Sequence, residues 1–225
     1  WIDEFIPAGT RQAVWDTFHR LMAGELSPAE YLENPVLHCS GKARLLAFHN
    51  ALLRDDEGRI IGALSSGEDI TERKQAEAEL RLLSTALESA ANGVVITDCE
   101  GTIIWVNPAL CRMTGYPREE LIGQNPHLFK SGKQSPEFYR EMWDTICGGK
   151  VWHGELVNRR KDGTRYTEEM TITPVRIGNG EITHFVAVKE DITERKRAED
   201  ERERLLVEIE RRAAVADLGI VLAKE

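Results

Sequence analysis

The run Glu68-Asp69-Ile70-Thr71-Glu72-Arg73-Lys74 returns 122 residues later as Glu190-Asp191-Ile192-Thr193-Glu194-Arg195-Lys196. The same offset, without a gap, carries Glu33 onto Glu155, Gly41 onto Gly163, Gly58 onto Gly180 and Ile60 onto Ile182. A fixed period implies one structural unit present twice. Residue 1 falls on Gly123, so residues 1–74 are expected to hold only the C-terminal part of the first unit. The expected divisions are that partial unit at 1–74, a linker helix at 75–90, a second unit at 91–193 and a helix at 194–225.

A unit of this size can bury its own core, and 41% apolar with 30% charged residues is ordinary for a globular chain. The net charge of −9, with no basic tail, disfavours a nucleic-acid partner. No apolar run reaches the roughly 18 residues of a membrane span, and no signal peptide is visible. The chain therefore reads as cytoplasmic, without membrane contact. Cys39, Cys99, Cys111 and Cys147 are scattered, with neither Cys-x-x-Cys spacing nor histidine partners at zinc-ligand distance, and read as free thiols. Gly148-Gly149-Lys150 lacks the other elements of a phosphate loop and reads as a helix stop.

Within the second unit, Gly93 to Asp98 and Thr102 to Asn107 are two β-rich runs across a glycine turn, a hairpin. Pro108 to Met113 and Pro117 to Gly123 read as short helical segments. Ser135-Pro136-Glu137 opens a helix whose apolar residues Tyr139, Met142, Trp143 and Ile146 share one face. Three strands follow, Trp152 to Arg160, Thr164 to Val175 and Glu181 to Val188, with turns at Lys161-Asp162-Gly163 and Gly178-Asn179-Gly180. This order predicts an α+β unit with a five-stranded antiparallel sheet.

After each repeated run the period changes. Ala76, Leu80, Leu83, Leu87 and Ala90 follow one 4-3 seam, and Leu206, Ile209, Ala213, Ala216, Ile220 and Ala223 another. Both patterns fit a coiled coil, and both also fit an amphipathic helix packed on its own domain. For the second, whose flanks are very polar, a parallel homodimer is expected.

Several of these residues resemble the PAS sensory family. They are Asn107-Pro108-Ala109, Thr114-Gly115-Tyr116, Glu120-Leu121-Ile122-Gly123, Asn158-Arg159-Arg160-Lys161-Asp162-Gly163 and the terminal Asp191-Ile192-Thr193-Glu194-Arg195. The resemblance covers 84–196 completely and 1–74 as the end of a second PAS domain. It implies a pocket between sheet and helices and output through the helix after the last strand. Asp69, Thr71, Asp191 and Thr193 are then the candidate relay residues.

Met142-Trp143, Trp152-x-Gly154 and the Asn158 run are similar to the flavin-binding PAS domains of the nitrogen-fixation redox sensor and the bacterial aerotaxis receptor. That likeness implies FAD as cofactor, with Trp143 near the ring and Asn158 and Asn107 helping to hold it. Two polar positions depart from the nitrogen-fixation pattern, where Val95 replaces a serine and Pro126 a glutamate. A flat ring edged with acceptors and one donor needs an aromatic face and an amide, which Trp143 and Asn158 supply. In a cofactor-free PAS domain the same two residues would be core and backbone partner. By the 122-residue offset they become Leu21 and Val36, so a flavin is expected in the second unit only.

A photoreactive flavin domain of the LOV type needs a cysteine where this chain has Asn125-Pro126-His127-Leu128-Phe129. A haem would need a histidine on the 136–147 helix, which has none, and His127 reads as a loop residue. Glu168 and Glu169 are neighbours on a strand and point to opposite faces, so they are no catalytic pair. No constellation supports an enzyme within the chain.

Three roles remain: the sensory input of a signalling protein, a cofactor-free dimerisation module, and input to a diguanylate cyclase. For the first, the output domain most often implied is a histidine kinase. Residues 214–225 are similar to the opening of a kinase dimerisation helix, with Lys224 where that family has the phosphorylated histidine.

Overall fold

The computed structural model describes residues 1–25, 30–178 and 180–222, without the side chains of 210 and 213–222. Asn179, Ala223, Lys224 and Glu225 lie outside the described residues, and the seam positions Ala213, Ala216 and Ile220 lie where side chains are not described. Two compact units emerge, Trp1–Leu83 and Ser84–Glu225.

The first unit comprises α1 (Ile2–Phe5), α2 (Arg11–Met22), β1 (Tyr31–Leu37), β2 (Ala43–Arg54), β3 (Ile60–Asp69) and the start of α3 (Thr71–Ser89). The strands form an antiparallel sheet in the order β1-β2-β3.

In the second unit, β4 (Gly93–Asp98) and β5 (Ile103–Val106) form a hairpin, followed by α4 (Pro108–Thr114) and α5 (Arg118–Leu121). A 3-10 turn (Pro126–Phe129) and α6 (Pro136–Cys147) lead to β6 (Trp152–Arg159), β7 (Arg165–Arg176), β8 (Ile182–Asp191) and α7 (Thr193–Leu222). The sheet is antiparallel in the order β5-β4-β8-β7-β6, so the unit's first and last strands are neighbours, with Gly93 opposite Lys189. This is the expected five-stranded α+β architecture.

Local chemistry sets the boundaries. Asn107 caps α4 with Pro108 at the first helical position, and Ser135 with Pro136 does the same for α6. Along β7, Tyr166, Glu168, Met170 and Ile172 are buried while Thr167, Glu169 and Thr171 face the other way. The buried face packs with Val95, Ile103, Leu110, Phe129, Ile146 and Phe185 into one core. Strand β8 runs three residues beyond its expected end at Val188. Its inward alternation of Phe185 and Ala187 continues through Lys189, a charged residue that ends a hydrophobic pattern in sequence but not in space.

Strand β2 (43–54) and strand β7 (165–176) share their limits at the 122-residue offset, as do β3 and β8. Three bonds recur at the two sheet-to-helix junctions. Asp69 Oδ1 accepts Thr71 N–H at 2.9 Å, and Asp191 Oδ1 accepts Thr193 N–H at 3.0 Å. Thr71 Oγ1 accepts Leu45 N–H at 2.8 Å, and Thr193 Oγ1 accepts Thr167 N–H at 2.9 Å. Lys74 reaches Glu33 at 2.9 Å, and Lys196 reaches Glu155 at 2.8 Å. Ile70 and Ile192, between the Asp and Thr of each copy, are buried. Because Asp69 and Thr71 turn the chain at once, α3 begins at Thr71 rather than at 75. The seam residues Leu80, Leu83 and Leu87 of α3 and the two described seam residues of α7, Leu206 and Ile209, are all exposed, so at these positions neither helix packs its seam on its own domain.

Burial pushes the Asp191 carboxyl up, but the Thr193 hydroxyl, Arg160 and the Thr193 N–H together hold it below its ordinary value. A carboxyl lowered by folding stabilises fully above its unfolded value of about 3.9, and that contribution is lost as pH falls through the lower folded value. Replacing Asp191 by Ala is expected to cost about 1 kcal/mol near neutral pH. Urea unfolding should show that this difference shrinks as the pH is taken below about 3.9.

Candidate functional site

A cavity of about 320 Å³ opens between the inner face of the second sheet and α6, within the range of small-molecule sites. Strands β4, β6, β7 and β8 contribute one wall through Val95, Leu156, Ile172 and Phe185, and α6 the other through Met142, Trp143 and Ile146. His127 and Lys130 line it and are exposed, so the cavity meets solvent at that end.

Trp143 is half-buried, its ring edge-on to Phe185 with centroids 5.8 Å apart. The β4–β5 turn crosses the indole at Gly101, where φ is 86°, and a Cβ there would stand 2.9 Å from Trp143 Cη2. Glycine is thus required twice over, for the backbone angle and for the approach.

Asn158 faces inward because β6 alternates Trp152, Leu156 and Asn158 toward the core. Its Nδ2 donates to Glu168 Oε1 at 3.0 Å. The same oxygen accepts from Lys189 Nζ at 2.5 Å, and both charged residues are almost wholly buried, at 0% exposure for Glu168 and 3% for Lys189. Glu168 Oε2 and the hydroxyls of Tyr139 and Tyr166 are buried without a hydrogen-bond partner among the described residues. Burial, reinforced by the Glu168 charge, pushes both tyrosine hydroxyls up, so they remain protonated donors at neutral pH. Lys130 Nζ sits 3.8 Å from the centroid of the Tyr139 ring. Asn158 and Lys189 line the cavity, while Glu168 lies behind them, out of the lining.

Of the three expected cofactor residues, two therefore meet in one cavity. Asn107 does not line it. Its side chain is fully buried and occupied by backbone: Oδ1 accepts Val94 N–H at 2.8 Å and Leu110 N–H at 3.0 Å, while Nδ2 donates to the carbonyls of Asn92 at 2.9 Å and Leu87 at 3.3 Å. It ties β4, α4 and the preceding helix together. Glu168 and Glu169 do face opposite ways, and Glu169 pairs on the outer face with His153 and Arg195.

Arg160 was not singled out beforehand, yet it joins three elements. Its Nη2 meets Asp191 Oδ2 at 2.6 Å, Nη1 donates to the Met113 carbonyl, and the guanidinium lies 4.5 Å from the Tyr166 ring centroid. It thereby connects the residue beside Glu168 to the start of α7. The ion pair of Glu168 and Lys189 was missed because the two residues stand 21 positions apart in sequence. Its one sequence signal is that each occupies the apolar phase of its strand's alternation.

A model of the PAS domain family matches residues 91–194. That segment is a PAS domain. The nitrogen fixation regulatory protein of Klebsiella oxytoca is 41% identical over 112 residues, 50% of this chain and 23% of that protein. A blue-light-activated histidine kinase of Erythrobacter litoralis is 31% identical over 119 residues, 51% of this chain and 32% of that kinase. This chain thus spans about a quarter to a third of these relatives. The solved structure of an RNA-binding light-oxygen-voltage receptor superposes with a TM-score of 0.51 over 93% of this chain and 88% of that one, at 15% identity, which speaks for the fold alone. No helix among the described residues is long and apolar enough to cross a membrane. Residues 91–194 are thus homologous to PAS domains that occur within signalling proteins such as these.

Replacing Asn107 by Ala orphans two buried N–H groups, those of Val94 and Leu110, each worth about 1 to 3 kcal/mol when left unmatched. The substitution is expected to lower the urea midpoint of the second unit strongly, by at least about 2 kcal/mol of stability. A variant as stable as the parent would show that water replaces the amide.

Proposed function

We propose that this chain is the sensory input region of a bacterial signalling protein, that its PAS cavity holds a flavin, and that α7 carries the redox state of that flavin to an output domain. The observation that carries this reading is one cavity with an aromatic edge, Trp143 against Phe185, and a buried polar end, Asn158 with Lys189.

The residues fit an isoalloxazine ring. The walls are apolar, one side is indole, and the polar end offers an amide and an ammonium to a ring edge rich in acceptors. Tyr139 adds an unpartnered buried hydroxyl among the lining residues. When bound, a flavin supplies reversible two-electron redox chemistry with a proton change at a ring nitrogen. The resemblance of Met142-Trp143, Trp152-x-Gly154 and the Asn158 run to flavin-binding redox PAS domains favours FAD and redox, and among the described lining residues there is no cysteine for a thiol adduct.

A change at the polar end has a short route outward. Asn158 bonds Glu168, whose strand neighbour Tyr166 lies under Arg160, and Arg160 holds Asp191 at the head of α7. A bias of about 1.4 kcal/mol on the packing of that helix changes a two-state balance tenfold. Asp191 and Thr193 are the relay residues of the second unit. Asp69 and Thr71 repeat their bonds in the first, which we read as the C-terminal part of another PAS domain.

The chain itself is regulatory, with catalysis assigned to an output domain outside it. A histidine kinase is favoured by the kinase relative, and a diguanylate cyclase is the alternative. The exposed Leu206 and Ile209 support a parallel homodimer through α7.

Protein refolded with excess FAD and desalted is expected to retain flavin absorbance, and the double substitution of Trp143 and Asn158 by Ala to abolish retention. No retained absorbance would leave a cofactor-free dimerisation module in which Asn158 serves only Glu168, and retention indifferent to both substitutions would overturn the assignment of the flavin to Trp143 and Asn158. Light scattering is expected to show the full chain as a dimer and a chain ending at Lys196 as largely monomeric. An equally dimeric truncation would assign association to the domains instead.

A further inference from the structure

A buried ion pair is usually a poor means of stabilising a core, since apolar residues of similar volume do as well or better. Glu168 and Lys189 nonetheless occupy inward positions of two neighbouring central strands that are otherwise apolar there. Their arrangement has a direction. Lys189 lines the cavity and Glu168 does not, so the pair is a dipole whose positive end faces the ligand space. Lysine has three N–H donors, and among the described residues Glu168 Oε1 is the one hydrogen-bond acceptor recorded for Nζ. Ammonium donors are therefore left for a ligand, with Glu168 as the ion-pair partner behind them.

We infer that Lys189 determines which ligand and which redox form this cavity prefers: its ammonium takes an acceptor edge of the bound ring and holds the reduced, anionic ring more tightly than the oxidised, neutral one. This rests on the flavin reading above and adds a direction to it. Reduction of the oxidised ring adds two electrons and one proton, the proton going to a ring nitrogen, and leaves one net negative charge on the ring. A fixed ammonium in a water-poor cavity favours that product over the reactant, because charge interactions are stronger there than in water. The pair is neutral overall, but the ligand is nearer its positive end. Tighter binding of the reduced form is, by linkage, a more positive midpoint potential than that of free flavin.

The test uses the full chain loaded with FAD and titrated anaerobically with dithionite as reductant, with dissociation constants measured for both redox forms. The parent is expected to bind the reduced form at least tenfold more tightly than the oxidised one, a rise of about 30 mV for a two-electron couple. Lys189→Met alone would leave Glu168 buried and unpaired, so the main variant is the double Lys189→Met, Glu168→Gln, which removes both charges and keeps an acceptor for Asn158. It is expected to bind oxidised FAD more weakly and the reduced form more weakly still, so that the ratio of the two constants falls toward one. Lys189→Arg should keep the preference and Lys189→Gln in the Glu168→Gln background, which retains a donor without either charge, should lose it. If FAD is retained and the ratio of the two constants is unchanged in both double variants, Lys189 is not the selecting group and the flavin reading survives. If the parent binds neither form of FAD, both the flavin reading and this inference fall.

Discussion

Everything past the last strand depends on a turn of three residues. Asp191 ends β8, Ile192 is buried against the unit, and Thr193 opens α7 while its hydroxyl accepts the Thr167 N–H of the neighbouring strand. Strand edge and helix start thus share the same hydrogen bonds, with Ile192 N–H donating to the Thr167 carbonyl at 2.9 Å. The helix cannot rotate at its root without disturbing the sheet. Asp191 adds a tie to Arg160 and so to the interior. The equal set of bonds at Asp69, Ile70 and Thr71 shows why the repeated run is the best-kept part of the repeat: its side chains satisfy the backbone groups that a sheet-to-helix change leaves open.

The cavity sets stability against function in a small space. The Glu168 and Lys189 charges are desolvated, and among the described residues one carboxylate oxygen and two tyrosine hydroxyls have no hydrogen-bond partner. Such groups are costly in a core and low in number in well-packed proteins. Lys189 and Tyr139 line the cavity and Glu168 lies directly behind Lys189, so part of this cost falls at the ligand space rather than in the core. Asn107 makes the contrast. An equally buried amide whose donors and acceptors are all used is a structural tie, and one with a neighbour left open beside a cavity is a candidate contact.

Most of the fold was legible in the sequence. The strands of the second unit, the capped helices and the antiparallel order followed from periodicity, Ser-Pro and Asn-Pro starts and glycine turns, all of which act locally. The likeness to PAS domains pointed to Trp143 and Asn158, and both line the cavity. Asn107 was carried over as a cofactor residue, whereas the same asparagine-proline chemistry that begins α4 also spends its amide on backbone. Glu168, Lys189, Tyr139 and Arg160 were not identified, because each acquires its role from a partner on another strand or helix.

The sequence by itself determined the repeat, the element types and the junction chemistry, since each is specified by side chains acting on backbone within a few residues. Only the tertiary structure decided which polar residues face inward together. Pairing β7 with β8 brings Glu168 to Lys189, and packing α6 over the sheet brings Trp143 to Phe185. Those contacts depend on strand order and register, which separate residues by tens of positions and leave no local trace beyond a charge in an apolar phase.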